Sequence, residues 1–354
     1  MSEWWSVKRQ LPGWVAVVPG AAHAQAAHVV WPAGAQPQLR WACELGWSDP
    51  AAGLRQLRRE HQLRQHRSVA LLQRHQYQLL PMDAPEVPRE AWRDAVRWKL
   101  KDMVDFAVDD AGIDLLEIPP DTSQRGRTGL LVAAAPRAAL TGLVHAADDA
   151  GTPWQALDIA ETALRNIANL AGHAGDTALH AQALLGVGET GSWLVVTAHG
   201  ELLLARNIEL TRVQACASSR DPLPDAAPAP GTHPDPVLDA HHEHELELAP
   251  GASAGATTDT GAEAARRLRD RVALEVQRTL DHCDRLFNRV SLVRLLIGPG
   301  LPDDFVDDLR ELLYLPVTGF DLAELLDLSA VPALTDPAEQ SRYLHAIGAA
   351  LRPQ

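Results

Sequence analysis

Apolar residues along this chain alternate between short strand-like runs and stretches at helical spacing. Trp14–Val18, the turn Pro19–Gly20 and a returning run near His28–Trp31 predict a hairpin. A helix is expected from about Pro50 to His66, then two short strands at Ser68–Leu72 and Gln76–Leu80. Asp83–Val87 introduces a helix whose first turn carries Pro88 and Glu90 and which is expected to run to Phe106. Asp114–Ile118 and Gly129–Ala134 read as strands, Arg137–Ala150 and Ile159–Leu170 as helices. Between Ala183 and Leu210, apolar runs flank Gly186, Gly188 and Gly191, and His199–Gly200 makes a second tight turn, so three strands follow in quick succession. Ala265, Leu268, Val272, Val276 and Leu280 give an apolar face to a helix over Glu263–Phe287, and Ser291–Leu313 reads as strand, glycine turn and helix. Strands interleaved with helices make the class α/β, and no solenoid-type repeat is evident.

One stretch, Ala215 to Gly261, breaks this pattern, because its prolines and acidic residues cannot build an apolar face. It is expected to be a disordered loop interrupting a domain, since the strands before it and the helix after it need a shared core. A length of 354 residues with 46% hydrophobic content suffices for two globular domains. Cys43, Cys216 and Cys283 have spacings that fit neither a disulfide framework nor a zinc site, which points to a reducing compartment. No signal-peptide segment or membrane span is evident, so a cytoplasmic location is expected. The net charge of −14 argues against general nucleic-acid binding.

The glycine turns carry the candidate chemistry. A glycine turn between strands lets backbone N–H groups approach a phosphate, which makes Gly20, Gly186, Gly188, Glu189, Gly298 and Gly300 the candidate nucleotide-binding residues. The acids that would hold the accompanying cation are missing: the first turn has none beside Gly20, and at the second only Glu189 could reach a metal, through water. Asp303 and Asp304 start the helix after Gly300 and oppose a phosphate there. The preferred reading of these glycines is as turns kept for folding, with nucleotide binding second. Arg89, Arg93, Arg97 and Lys101 recur every fourth residue beside Trp92 and Trp98, giving a basic stripe with aromatic anchors as a candidate partner-binding face, or a solvated face balanced by nearby acids. His241-His242-Glu243-His244-Glu245 suits zinc or nickel by residue type, but such runs usually bind metal weakly, and no metal site is assigned. Walker A, GxSxG and HExxH motifs are absent, so no catalytic residue is named.

Several strings, in this order, resemble the PilM and MshI proteins of type IV pilus assembly, with MshI of the mannose-sensitive haemagglutinin (MSHA) pilus the closer match. They are QYQLLPMDAPEVPREAWRDAVRWKLKDMVDF with AVDDAGIDLLEIP, ALDIAETALRNIANL, the hairpin ending ARNIEL, LIGPGLPDDFVDDLRELLYLPV and the closing AIGAALR. The resemblance implies an actin-like (ribonuclease H-like) two-domain fold with degenerate phosphate hairpins. The first domain would span 1–182 with an inserted subdomain around 83–150, the second 183–336 interrupted by the loop 215–261, and the helix 337–354 would return to the first. It also implies a cytoplasmic scaffold, peripheral to the inner membrane, that binds the cytosolic N-terminal tail of a bitopic PilN/MshJ-like protein and contacts the assembly ATPases. In PilM that tail lies in a channel between the first domain's core and its inserted subdomain, which here corresponds to the region around Trp92 to Ile118. ATP with magnesium is the only cofactor the resemblance suggests, and hydrolysis is not expected. The alternatives are an active actin-like ATPase or small-molecule kinase using Glu189, or a component like GspL of type II secretion, a family that usually continues into a membrane helix.

Overall fold

The computed structural model describes residues 10–119, 122, 128–172, 180–188, 191–219 and 256–352, with backbone alone over 256–262. Glu189, the run His241–Glu245 and most of the proline-rich segment lie outside the described residues. The first strands, β1 (Trp14–Pro19), β2 (His23–Val30) and β3 (Gln38–Gly46), form an antiparallel meander. Helix α1 (Pro50–His61) starts at Asp49, whose carboxylate accepts from the Ala52 N–H, and stops at Gln62 in the left-handed conformation. The expected helix to His66 therefore ends five residues early, and a 3-10 turn over Leu63–Gln65 leads into β4 (Arg67–Leu71). With β8 (Ala156–Asp158), β4 extends the sheet in parallel, giving the order β3-β2-β1-β4-β8.

The second sheet repeats this plan. β9 (His180–Val187), β10 (Ser192–Ala198) and β11 (Glu201–Ile208) form a meander, and β12 (Ser291–Ile297) and β13 (Val317–Gly319) add in parallel, giving β11-β10-β9-β12-β13. In each sheet the order is third, second, first, fourth, fifth, a duplication of topology that the residues themselves do not repeat. β9 and β10 are buried on both faces, which accounts for their continuous apolar runs.

A third, three-stranded sheet is inserted between β4 and β8. It consists of β5 (Gln78–Asp83), β6 (Gly112–Ile118) and β7 (Gly129–Ala135) in the order β5-β7-β6. Helix α2 (Trp92–Leu100) covers one face, burying Val96 and Leu100 against Leu130, Val132 and Ala134. The helix expected from Pro88 to Phe106 is thus shorter at both ends. A 3-10 turn occupies Arg89–Ala91, and beyond Leu100 the Arg97 guanidinium gathers the carbonyls of Val108, Asp109 and Ala111 into a wrapped loop.

Two helices join the halves. α4 (Ala160–Gly172) follows the first sheet, after α3 (Arg137–Ala150) and β8, yet packs on β9, β10 and β11 of the second. α9 (Pro337–Ala350) follows the second sheet yet packs on β1 and β2 of the first. The two pack on each other, with the Asn166 amide donating to the Gly348 carbonyl at 2.9 Å, and one apolar core runs continuously through both sheets.

α5 (Arg212–Ala217) and α6 (Ala256–Leu286) bracket the proline-rich segment. The expected loop 215–261 is therefore too wide at both ends. Thr211 and Gln214 form a reciprocal capping box that starts α5, and α6 begins before the apolar periodicity does. α7 (Asp303–Leu312) packs on α6, where buried Arg269 reaches Asp308 at 2.6 Å, Asp304 at 3.1 Å and the Ser218 carbonyl. A short helix, α8 (Leu322–Leu325), and a 3-10 turn lead into α9. Among the described residues no helix is long and apolar enough to cross a membrane.

Candidate functional site

The glycine turns come together in part. The Gly298 N–H donates to the Leu185 carbonyl at 2.8 Å, and a Cβ on Gly298 would lie 3.6 Å from Gly186 Cα, so these two turns touch. Each glycine also meets a helix or turn that explains its lack of a side chain. A Cβ on Gly186 would lie 2.7 Å from Leu164 of α4, and one on Gly298 3.3 Å from Leu344 of α9. Gly300, at φ +89°, would drive a Cβ to 2.6 Å from Ser341. Gly188 closes its turn by donating to the Gly191 carbonyl at 2.9 Å and lies beside His345. Gly20 belongs to the other sheet: its turn is held by Gln73, whose amide donates to the carbonyls of Pro19 and Gly20 at 3.3 and 3.2 Å. Asp304, which would oppose a phosphate near Gly300, pairs with Arg269.

Two carboxylates at the C-terminal ends of the parallel strands, where ligands of α/β folds gather, are not singled out by the sequence. Asp158 ends β8; one oxygen accepts from the Ile159 N–H at 2.9 Å and from the Thr162 hydroxyl, and the other from Arg352. Glu161, in the first turn of α4, is 5% exposed and accepts from the Tyr77 hydroxyl at 2.5 Å. Burial pushes its carboxyl above the usual range, against the Tyr77 hydrogen bond, which favours the charged form. The signal available was the acidic pair Asp158-Ile-Ala-Glu161 ahead of an apolar helix, which reads as a helix start.

The basic row on α2 meets its own acids. Arg89 pairs with Glu117, Arg93 with Asp114 at 2.6 Å and Lys101 with Asp109 at 3.2 Å, while Arg97 is bound to loop carbonyls. Trp92 donates its indole N–H to the Val87 carbonyl at 3.1 Å. Trp98 is 72% exposed, with the Lys101 ammonium 4.5 Å from its ring centroid.

Of these six residues only Arg93 lines the groove between the subdomain and the first sheet, a cavity of about 500 Å³. Its subdomain wall is the face of the small sheet opposite α2, where Gly112, Ala133 and Ala135 leave space, together with Asp114 and Leu116. Opposite stand Leu72, Leu157 and Ile159 at the strand ends, Thr162 and Arg165 of α4, and Arg352 beyond α9. Tyr77 and Leu140 close it. Apolar side chains and fixed polar groups share this lining about equally, and together they suit a ligand of modest size that carries both. Among the described residues no group of three or more His, Cys, Asp or Glu is placed to hold a metal ion.

No family model matches the chain, and no curated protein sequence matches it. Among solved structures, a chain of the PilM-PilN type IV pilus biogenesis complex superposes with a TM-score of 0.66 at 18% identity, over 96% of this chain and 99% of that one. The fold is that of PilM. More distant is a Bacteroides thetaiotaomicron protein with an actin-like ATPase fold and unknown function, at a TM-score of 0.45 and 10% identity over 95% of this chain and 99% of that one. So is the cytoplasmic domain of EpsL, an inner-membrane component of the type II secretion system of Vibrio cholerae, at 0.38 and 16% over 71% and 94%. The shared fold is a mixed α/β fold with the same strand order in each large sheet, and the groove lies between the first sheet and the inserted one.

Four histidines are embedded in this PilM fold. His28, His66 and His61 cluster with Trp41, the His28 and His66 rings 4.3 Å apart and the His61 ring stacked 4.0 Å from Trp41. His345 lies edge-on to Trp193 at 4.9 Å. Burial lowers all four pKa values, those of His28 and His345 from 6.5 to about 4. An unfolded histidine binds its proton near pH 6.5, so the unfolded state gains protons first and stability is lost as pH falls from 6.5 towards 4. For the fully buried His345 the loss is on the order of 3 kcal/mol. Glu161 works in the opposite direction, since its raised pKa lets the folded state take up a proton first. The expected net result is a thermal midpoint that falls steadily between pH 6.5 and 4, with a shallower slope in His345→Asn. A flat profile over that window would contradict the burial of these rings.

Proposed function

We propose that this protein is a docking component of type IV pilus assembly that holds the cytosolic tail of a single-span inner-membrane protein without hydrolysing ATP. The groove between the small sheet and α4 carries this reading. It has the size for a short peptide and a lining that mixes apolar side chains with fixed polar groups, and it lies on a PilM fold, the fold found in the PilM-PilN complex. The partner is then PilN/MshJ-like, the pilus of the MSHA type, and the location cytoplasmic and peripheral to the inner membrane through that partner. Contact with the assembly ATPases belongs to the same reading, with Trp98 the exposed anchor available on the outer face of the subdomain.

The packing of the glycines supports the noncatalytic part. Gly186, Gly298 and Gly300 are small because α4 and α9 press on them, so nucleotide binding is not needed to account for their presence. The carboxylates Asp158 and Glu161 are turned onto Arg352 and Tyr77. Calorimetric titration with Mg-ATP, with and without EDTA, is expected to give no metal-dependent heat and no turnover. Magnesium-dependent turnover would replace this reading with that of an actin-like ATPase or kinase, and its loss in Glu189→Ala would assign the metal to Glu189.

A further inference from the structure

We propose that Arg165 and Arg352 grip the docked peptide by its backbone carbonyls and so hold it extended across the start of α4. The inference rests on the groove being the docking site. Three guanidiniums line the groove, those of Arg93, Arg165 and Arg352, against two carboxylates, Asp114 and Asp158. Asp158 is engaged at both oxygens, by the Ile159 N–H, the Thr162 hydroxyl and Arg352. Arg165 donates through Nη1 to Glu201, which stands outside the groove, and through Nη2 to Asn166 Oδ1, both at 3.2 Å. A guanidinium carries about five N–H donors in a rigid fork. Arg352 gives one to Asp158 and Arg165 gives two, so donors outnumber the acceptors that face the groove.

Both side chains are held for this role. Their side chains are only 32% and 22% exposed, and the Arg352 guanidinium lies 5.4 Å from the Trp14 ring centroid, which restrains its plane. Arg93 differs: it and Asp114 are 66% and 74% exposed, a rim pair that contributes little. The occupant must bring apolar side chains for Leu72, Leu116, Leu140 and Leu157, and acceptors in a row for the two arginines. An extended peptide does both, presenting a carbonyl to one side at every second residue, roughly every 6.6 Å along its length. The excess of one positive charge on the lining argues against a segment whose bound residues are themselves cationic.

The test uses an array of synthetic peptides covering the N-terminal cytosolic segments of the single-span inner-membrane proteins of the source organism. For the peptide captured by the full chain, Arg165→Lys and Arg352→Lys are each expected to raise Kd about tenfold or more, because an ammonium lacks the fork. Arg93→Ala is expected to stay within about threefold. Replacing the peptide's amides one at a time by esters, whose carbonyls are weaker acceptors, should weaken binding at the positions held, and this reads out even if an arginine variant folds poorly. Lysine variants that bind like the parent, or an ester scan without effect, would overturn the inference and leave the docking reading intact. Failure of every peptide to bind the unaltered protein would remove both. Uptake of inorganic phosphate in place of any peptide would assign the donors to an anion and overturn the inference as well.

Discussion

Gly348→Ala is expected to destabilise the protein by about 2–4 kcal/mol, lowering the thermal midpoint by roughly 5–10 °C, although alanine is the better helix former by about 1 kcal/mol. Gly348 sits inside α9 where that helix crosses α4. A Cβ there would lie 2.4 Å from the Ala163 carbonyl oxygen and 2.9 Å from its carbon. Both atoms belong to helical backbone and cannot swing aside, so the helices must separate. Their separation also strains the buried bond from Asn166 to the Gly348 carbonyl. The control is Gly142→Ala in α3, where a Cβ meets nothing within 4 Å and helix propensity alone should act, giving a gain of up to about 1 kcal/mol. Opposite signs for two Gly→Ala changes in helices, read by thermal or urea unfolding, would locate the constraint at the α4–α9 crossing. A neutral Gly348→Ala would show that the crossing is looser than described.

Ala133→Phe is expected to abolish peptide capture, by about a hundredfold or more, while moving the thermal midpoint by only a few degrees. Ala133 is half-buried on the groove face of β7, opposite Leu79 on β5 and Asp114 on β6. A phenyl ring there projects into the open cavity of about 500 Å³ and takes the place of the ligand. Strand alternation supplies the contrast, since the neighbouring Ala134, 1% exposed, faces Val96 and Leu100 under α2. Ala134→Phe should therefore unfold the subdomain instead. Circular dichroism melts beside peptide-binding isotherms separate the two outcomes.

Much of the fold was legible because burial wrote it into the periodicity. β9 and β10, buried on both faces, read as unbroken apolar runs, and α6 showed its inward row from Leu268 to Leu280. What local periodicity did not show was long-range, and a return of the C-terminal helix to the first domain was expected from the family resemblance alone. α4 leaves the first sheet to pack on the second, and α9 makes the reverse journey, through residues such as Leu164 and Ile347 that look like any helix core. Local apolar spacing is the same whichever sheet a helix covers, so it could not reveal this exchange. Helix ends were misjudged where partners distant in sequence decide them, as the carbonyls of Asp109 and Ala111 do by binding Arg97 in the last turn of α2. The site was legible only in outline. Glycines stood out as turns, but the packing that requires Gly186 and Gly300 depends on Leu164 and Ser341 arriving from elsewhere. The basic row stood out as a stripe, but the acids that meet it, Asp114 and Glu117, come from β6. The groove joins residues from Leu72 to Arg352 and has no local signature.

Whether the groove holds the tail of a single-span membrane protein can be tested by affinity capture from detergent-solubilised inner membranes. The unaltered chain and Ala133→Phe serve as the two baits, and the retained proteins are identified by mass spectrometry. The expected result is one single-span protein with a short cytosolic N-terminus, retained by the unaltered chain, absent from Ala133→Phe, and displaced by a synthetic peptide of that N-terminus. Equal recovery by both chains, or no displacement by the peptide, would contradict docking in the groove.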